Sequence, residues 1–163
     1  MTDRHARHFR FMMAILIVGL VISGVTAFPL TYEVESLCRW LGIPDGPSSG
    51  QDGTIRGFLH HVRDGLRTLD AEFPWAKYGT DWLAFGHLVI ALFFVDPMLR
   101  PRVDHRGPLL AGMIACLGVI PLAIIAGAVR EIPFAWRLID CAFGVLGVIP
   151  LAYAWRLQRP CRR

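Results

Sequence analysis

Residues 11–30, FMMAILIVGLVISGVTAFPL, run for twenty positions without a single charge. A segment of that composition has few destinations. In hydrocarbon every backbone amide must be satisfied inside the protein, so a crossing segment is a helix or one strand of a closed barrel. About 20 residues of helix at 1.5 Å each match a hydrocarbon core of roughly 30 Å. Three further stretches meet the same requirement: 82–99, with His87 inside and Asp96 near its end, the uncharged 109–129, and 133–155, which carries Arg137 and Asp140. None shows the two-residue alternation of a barrel strand, so periodicity predicts helices. The expected fold is an all-α membrane protein, a single integral membrane domain over 1–163 with a four-transmembrane-helix bundle. Composition agrees, since 54% of the 163 residues are apolar and the charges fall in short blocks between the long runs.

Those blocks predict an orientation. Arg4, Arg7 and Arg10 precede the first span, Arg100, Arg102 and Arg106 lie between the second and third, and Arg156, Arg159, Arg162 and Arg163 follow the fourth. In a four-span arrangement these segments share one side. With Asp3, Asp96 and Asp104 they carry a net +7, against −3 for the rest of the chain. The positive-inside rule then puts both termini of this multi-pass chain in the cytoplasm. The basic residues form no single patch, so the charge argues for topology and against nucleic acid. A cleaved signal peptide is the rival reading of the first span, because Val25-Thr26-Ala27 imitates a cleavage site; the apolar run exceeds the usual 7 to 15 residues, which favours retention.

The segment 31–81 between the first two spans is too short for a core of its own. Within it, Ile55, Phe58, Leu59, Val62, Leu66, Leu69 and Phe73 recur at steps of one, three and four, with Arg56, Arg63, Asp64, Arg67 and Asp70 opposite. That pattern predicts an amphipathic interfacial helix over about 54–72, capped by Thr54 or Asp52 and stopped at Phe73-Pro74. A shorter helix is expected over 32–41, with Val34, Leu37, Cys38 and Leu41 on one side, and a loop over 42–53, GIPDGPSSGQDG. A three-residue connection at 130–132 makes the last two spans an antiparallel hairpin. Ala111 with Ala115 and Ala123 with Gly127 permit close helix approach, within the fold or to a partner.

Ionisable residues inside spans cost roughly 2.5 to 3.5 kcal/mol each on insertion scales and need a reason. At 1.5 Å per residue His87, Arg137 and Asp140 lie about 8, 6 and 10 Å below the outer ends of their spans. Arg137 and Asp140 are three apart, hence on one helix face and able to pair. One reading is a polar cluster that sets helix register. The other is a small outward-facing site with His87 as proton carrier or ligand, Asp140 orienting it, and Arg130, Glu131, Tyr78 and Asp81 at its rim. One intramembrane histidine is thin support for haem, because His60 and His61 are adjacent and diverge on a helix. No cofactor is expected, and haem at His87 is disfavoured. No metal-ligand spacing, nucleophile elbow or phosphate loop occurs. Cys38, Cys116, Cys141 and Cys161 include no C-x-x-C pair, which argues against thiol exchange.

The stretches WLAFGHLVIALFF and EIPFAWRLIDCAFGVLG resemble a group of small four-span bacterial inner-membrane proteins with no assigned activity. The resemblance covers mainly spans two to four. It implies a bacterial cytoplasmic membrane and the same span count, and brings no catalytic residue.

LGVIPLA occurs at 117–123 and again at 146–152. On antiparallel spans the two prolines lie about 18 Å and 7 Å from the inner ends, so the pair reads as two helix kinks and not as a two-part site. The expectation for function is a non-enzymatic accessory or assembly subunit, in contact with lipid and able to associate with itself or another membrane protein through helix faces. The alternative is a small-ligand or proton-linked transporter or membrane enzyme using His87, Arg137 and Asp140.

Overall fold

Proline placement sets the first boundaries. The helix that begins at the arginine-rich N-terminus, α1 (Asp3–Ala27), stops two residues before Pro29, whose ring disfavours helical geometry at Phe28. Pro29 then starts α2 (Leu30–Trp40), accepting a hydrogen bond from the Glu33 amide at 3.0 Å. The computed structural model describes residues 2–46 and 54–158, and among them every regular element is helical. The predicted loop is described as far as residue 46, and Asp52 lies outside the described residues.

After that gap comes α3 (Ile55–Glu72), started by Thr54, whose Oγ1 accepts the Gly57 amide at 3.0 Å. It ends before Pro74 as expected. Next are α4 (Pro74–Phe93), α5 (Val95–Leu99), α6 (Arg106–Val129) and α7 (Phe134–Leu157). The break at Phe94 has a local cause. Pro97 lacks the amide that would bond to Phe93, and the Phe94 amide tightens onto Ala91 at 3.1 Å. Pro121 and Pro150, by contrast, lie inside continuous helices.

Four helices are long and apolar enough to cross a membrane: Asp3–Ala27, Pro74–Leu99 across the break, Arg106–Val129 and Phe134–Leu157. This is the all-α architecture of a multi-pass membrane protein. The helices overrun the predicted spans because the limit used there was apolarity. Arginine is a good helix former, so the helix itself continues into the charged flanks.

Two compact units divide the chain, one of residues 1–21 and 89–163, the other of residues 22–88. In the first, Phe9, Met13 and Leu16 of α1 join Phe94, Leu109, Leu151 and Ala154 in a buried core. A polar clasp closes one end of this unit. Gln158 accepts the His105 amide at 2.7 Å and donates to the Val103 carbonyl at 2.9 Å, while the His105 ring donates to the Arg100 carbonyl at 3.0 Å. Arg106 lies 4.2 Å over the Trp155 ring.

The α6–α7 hairpin is closed by glycines that the sequence reading passed over. A methyl at Gly144 would sit 2.5 Å from the Cys116 carbonyl, and one at Gly147 would sit 2.8 Å from the Cys116 sulfur. Ala111 and Ala115 instead face outward.

In the second unit α2 packs on α3. Phe58, Leu59 and Leu66 are buried as the periodicity predicts, with Cys38 between the helices donating its thiol to the Leu59 carbonyl at 3.8 Å. Burial pushes the Cys38 thiol above its ordinary pKa. Arg63, expected on the polar face, is also buried. Its Nη2 donates to the Pro44 carbonyl at 2.7 Å and its Nη1 lies 3.3 Å from Asp45, so it ties the chain after α2 to α3. At the far end Thr31 donates to Asp70 at 2.9 Å, and Lys77 reaches Asp70 at 2.5 Å and Thr31 at 2.9 Å. Three helices meet at that triangle.

Candidate functional site

The hairpin corner between α6 and α7 holds four of the seven residues singled out by chemistry. α6 ends in a Schellman arrangement: the Glu131 amide donates to Ala128 at 3.2 Å and the Ile132 amide to Gly127 at 2.9 Å. The residue between the helix end and Ile132 must then take a left-handed backbone. That place normally holds glycine, and here it is Glu131 at φ 58°. Arg130 and Glu131 are exposed.

Arg137 is half-buried just past this corner. Its Nε donates to the Ile132 carbonyl at 2.7 Å, and its guanidinium lies 6.0 Å from the Phe134 ring centre. Its stem crosses Gly127 so closely that a methyl there would be 2.8 Å from Arg137 Cγ and Cδ. The glycine is what admits the arginine.

Asp140 sits one turn deeper on α7 and is half-buried. The ion pair expected between Arg137 and Asp140 is not formed among the described residues. Helical side chains lean toward the N-terminus of their helix. Arg137 turns back to the corner, where the Ile132 carbonyl takes its Nε hydrogen in place of Asp140.

The other three candidates belong to α4. His87 is half-buried, and its Nδ1 donates to the Leu83 carbonyl one turn earlier at 2.9 Å, which leaves Nε2 as an acceptor in the neutral ring. Tyr78 stacks edge-on to Trp82, with ring centres 6.0 Å apart, and Trp82 to Phe85 at 6.3 Å. Asp81 is half-buried on the same helix, six residues before His87.

The arrangement at the corner is an anchoring one. Arg137 spends its Nε on backbone. Among the described residues no three His, Cys, Asp or Glu side chains gather as they would around a metal ion. Cys116 and Cys141 are both in helices, the latter donating to the Ile120 carbonyl at 3.9 Å.

The left-handed Glu131 and the buried Arg63 were missed from sequence. For Glu131 a three-residue hairpin turn with no glycine was itself the signal. No family model, curated protein or solved structure matches this chain.

Proposed function

We propose that the protein is a multi-pass subunit of a bacterial cytoplasmic membrane, with both termini in the cytoplasm, that acts without catalysis as an accessory or assembly component. The observation that carries this reading is the use to which the span polar groups are put. Arg137 bonds the backbone at Ile132 and His87 bonds the backbone at Leu83, so both serve helix ends and turns. Meanwhile the apolar side chains of the membrane-length helices point outward: on α6, Ile114, Leu117, Leu122 and Ile125 are all more than half exposed. In water a continuous surface of that kind would aggregate; in lipid, or against another spanning helix, it is stable. α3 lies at the outer membrane surface in this reading, with Trp75, Tyr78 and Trp82 exposed as an interfacial aromatic belt.

A second reading rests on Asp140. Among the described residues this carboxyl has no ion pair and no hydrogen bond, although it lies within a span. Such a group suits a proton-linked transporter or a small-ligand site.

A deletion strain separates the two. Under the accessory reading, His87→Gln and Asp140→Asn rescue the deletion phenotype in proportion to how much folded protein they yield. Loss of rescue at normal yield and normal melting temperature would instead assign a working site. Topology is checked by fusions: fluorescent protein at the C-terminus should glow, and alkaline phosphatase joined after residue 46 should be active.

A further inference from the structure

Four arginines converge at the end of the first unit where the N-terminus lies. Arg7 and Arg10 of α1, with Arg100 and Arg102 of the connection after α5, line a groove of about 450 Å³. Among the described residues Asp3 is the only acid on its wall, and these lining residues carry a net +3. Asp3 pairs with Arg102, and Asp96, just outside, lies 3.2 Å from Arg100. Both pairs are exposed and therefore weak. Arg7 and Arg10 have no ion pair among the described residues, and three-residue spacing sets them on one face of α1.

We propose that this groove binds the phosphate of an anionic phospholipid headgroup. Guanidinium forks match phosphate oxygens bidentately, and two unpaired forks facing two weakly engaged ones offer more donors than one phosphodiester has oxygens to fill. The rest of the wall is apolar: Ala6 and Pro101 are buried behind it, and Leu99 and Val103 are 63% and 53% exposed. A free phosphate has no use for such a rim. An acyl chain does, and it has a track to follow. From Arg7 the same face of α1 continues through Phe11, Ile15 and Val18, at steps of four, four and three, which are 61%, 47% and 54% exposed. Charge at the mouth and an apolar stripe below it are the two halves of a phospholipid.

The site rests on the membrane assignment above, and the test keeps the two apart. The full chain is extracted in mild detergent and studied by native mass spectrometry with phosphatidylglycerol, phosphatidylcholine or inorganic phosphate added. Phosphatidylglycerol should stay bound at collision energies that strip phosphatidylcholine. In the Arg7→Gln/Arg10→Gln variant its occupancy should fall at least ten-fold, whereas Arg156→Gln, outside the groove, should leave it unchanged. Should the glutamine variant melt early, Arg7→Lys/Arg10→Lys keeps the charge but loses the forks, and an occupancy between the two is expected. Equal retention of both lipids, or an unaffected glutamine variant, overturns the site while leaving a membrane protein. Displacement of phosphatidylglycerol by millimolar inorganic phosphate overturns the lipid assignment in favour of a soluble anion. Recovery of the protein from the soluble fraction removes the membrane assignment and the site together.

Discussion

Arg137 donates its Nε hydrogen to the carbonyl of Ile132 at 2.7 Å, so a charged residue of a membrane-length helix closes the turn that precedes it. That turn has two more unusual members: Gly127, which admits the arginine stem, and Glu131, which takes a left-handed backbone. The three form one device, and substitutions in it should not act independently.

Gly127→Ala puts a methyl 2.8 Å from Arg137 Cγ and Cδ, which are atoms of the stem and not its flexible tip, so the side chain must shift. The arginine must leave Ile132, and overpacking of this kind costs about 1 to 3 kcal/mol. Arg137→Ala removes the same bond by another route. A thermal-unfolding cycle of the two single variants and the double should therefore be strongly sub-additive, with the double variant little worse than the poorer single. Additive losses would mean that the glycine and the arginine are unrelated.

At Glu131 the expected change has the opposite sign. A non-glycine residue at a left-handed position is strained by about 1 to 2 kcal/mol; glycine removes that strain but loses part of the gain to its freer unfolded chain. Glu131→Gly should raise the melting temperature by a few degrees, a gain of about 0.5 to 1 kcal/mol. If the same variant fails in the deletion strain despite its higher melting temperature, the carboxylate has a task beyond the turn.

The corner also marks how far the sequence could be read. Four helices of membrane length were legible because lipid imposes a length and forbids charge, and both constraints are written in single residues. The buried face of α3 was legible for the same reason, through the spacing of Phe58, Leu59 and Leu66. Partners were not. Arg63 reads as a polar-face residue until the chain after α2 brings the Pro44 carbonyl to it, and spacing alone makes Arg137 and Asp140 neighbours although the Ile132 carbonyl takes the arginine instead. Gln158, which binds both His105 and Val103, gives no local signal at all, because its partners are more than fifty residues away.

The Thr31–Asp70–Lys77 triangle makes the second unit sensitive to acid. The Lys77 ammonium first, and then the Thr31 hydroxyl, hold the Asp70 carboxyl below the usual carboxylate range. A depressed pKa contributes stability above the unfolded value, near 3.9, and that contribution fades as pH falls toward the lower folded value. The wild type should thus lose more melting temperature than Asp70→Asn between pH 6 and pH 3, and the two should converge at the acid end. Since the pair is partly exposed, the difference should also shrink in high salt. A constant gap between the two proteins across that range would show that Asp70 acts by packing and not by charge.

Gly144 offers the sharpest test of the hairpin itself. A methyl there would stand 2.5 Å from the Cys116 carbonyl oxygen, which is backbone and cannot rotate away, so α6 and α7 must separate along their length. The cost should reach or exceed the upper end of the overpacking range, about 3 kcal/mol. Gly118, on α6, is the control: nothing lies within 4 Å of its added methyl. Gly118→Ala should leave the melting temperature unchanged or slightly raised, through better helix propensity. Comparable losses at both positions would mean that alanine harms these helices generally and that Gly144 is not where they touch.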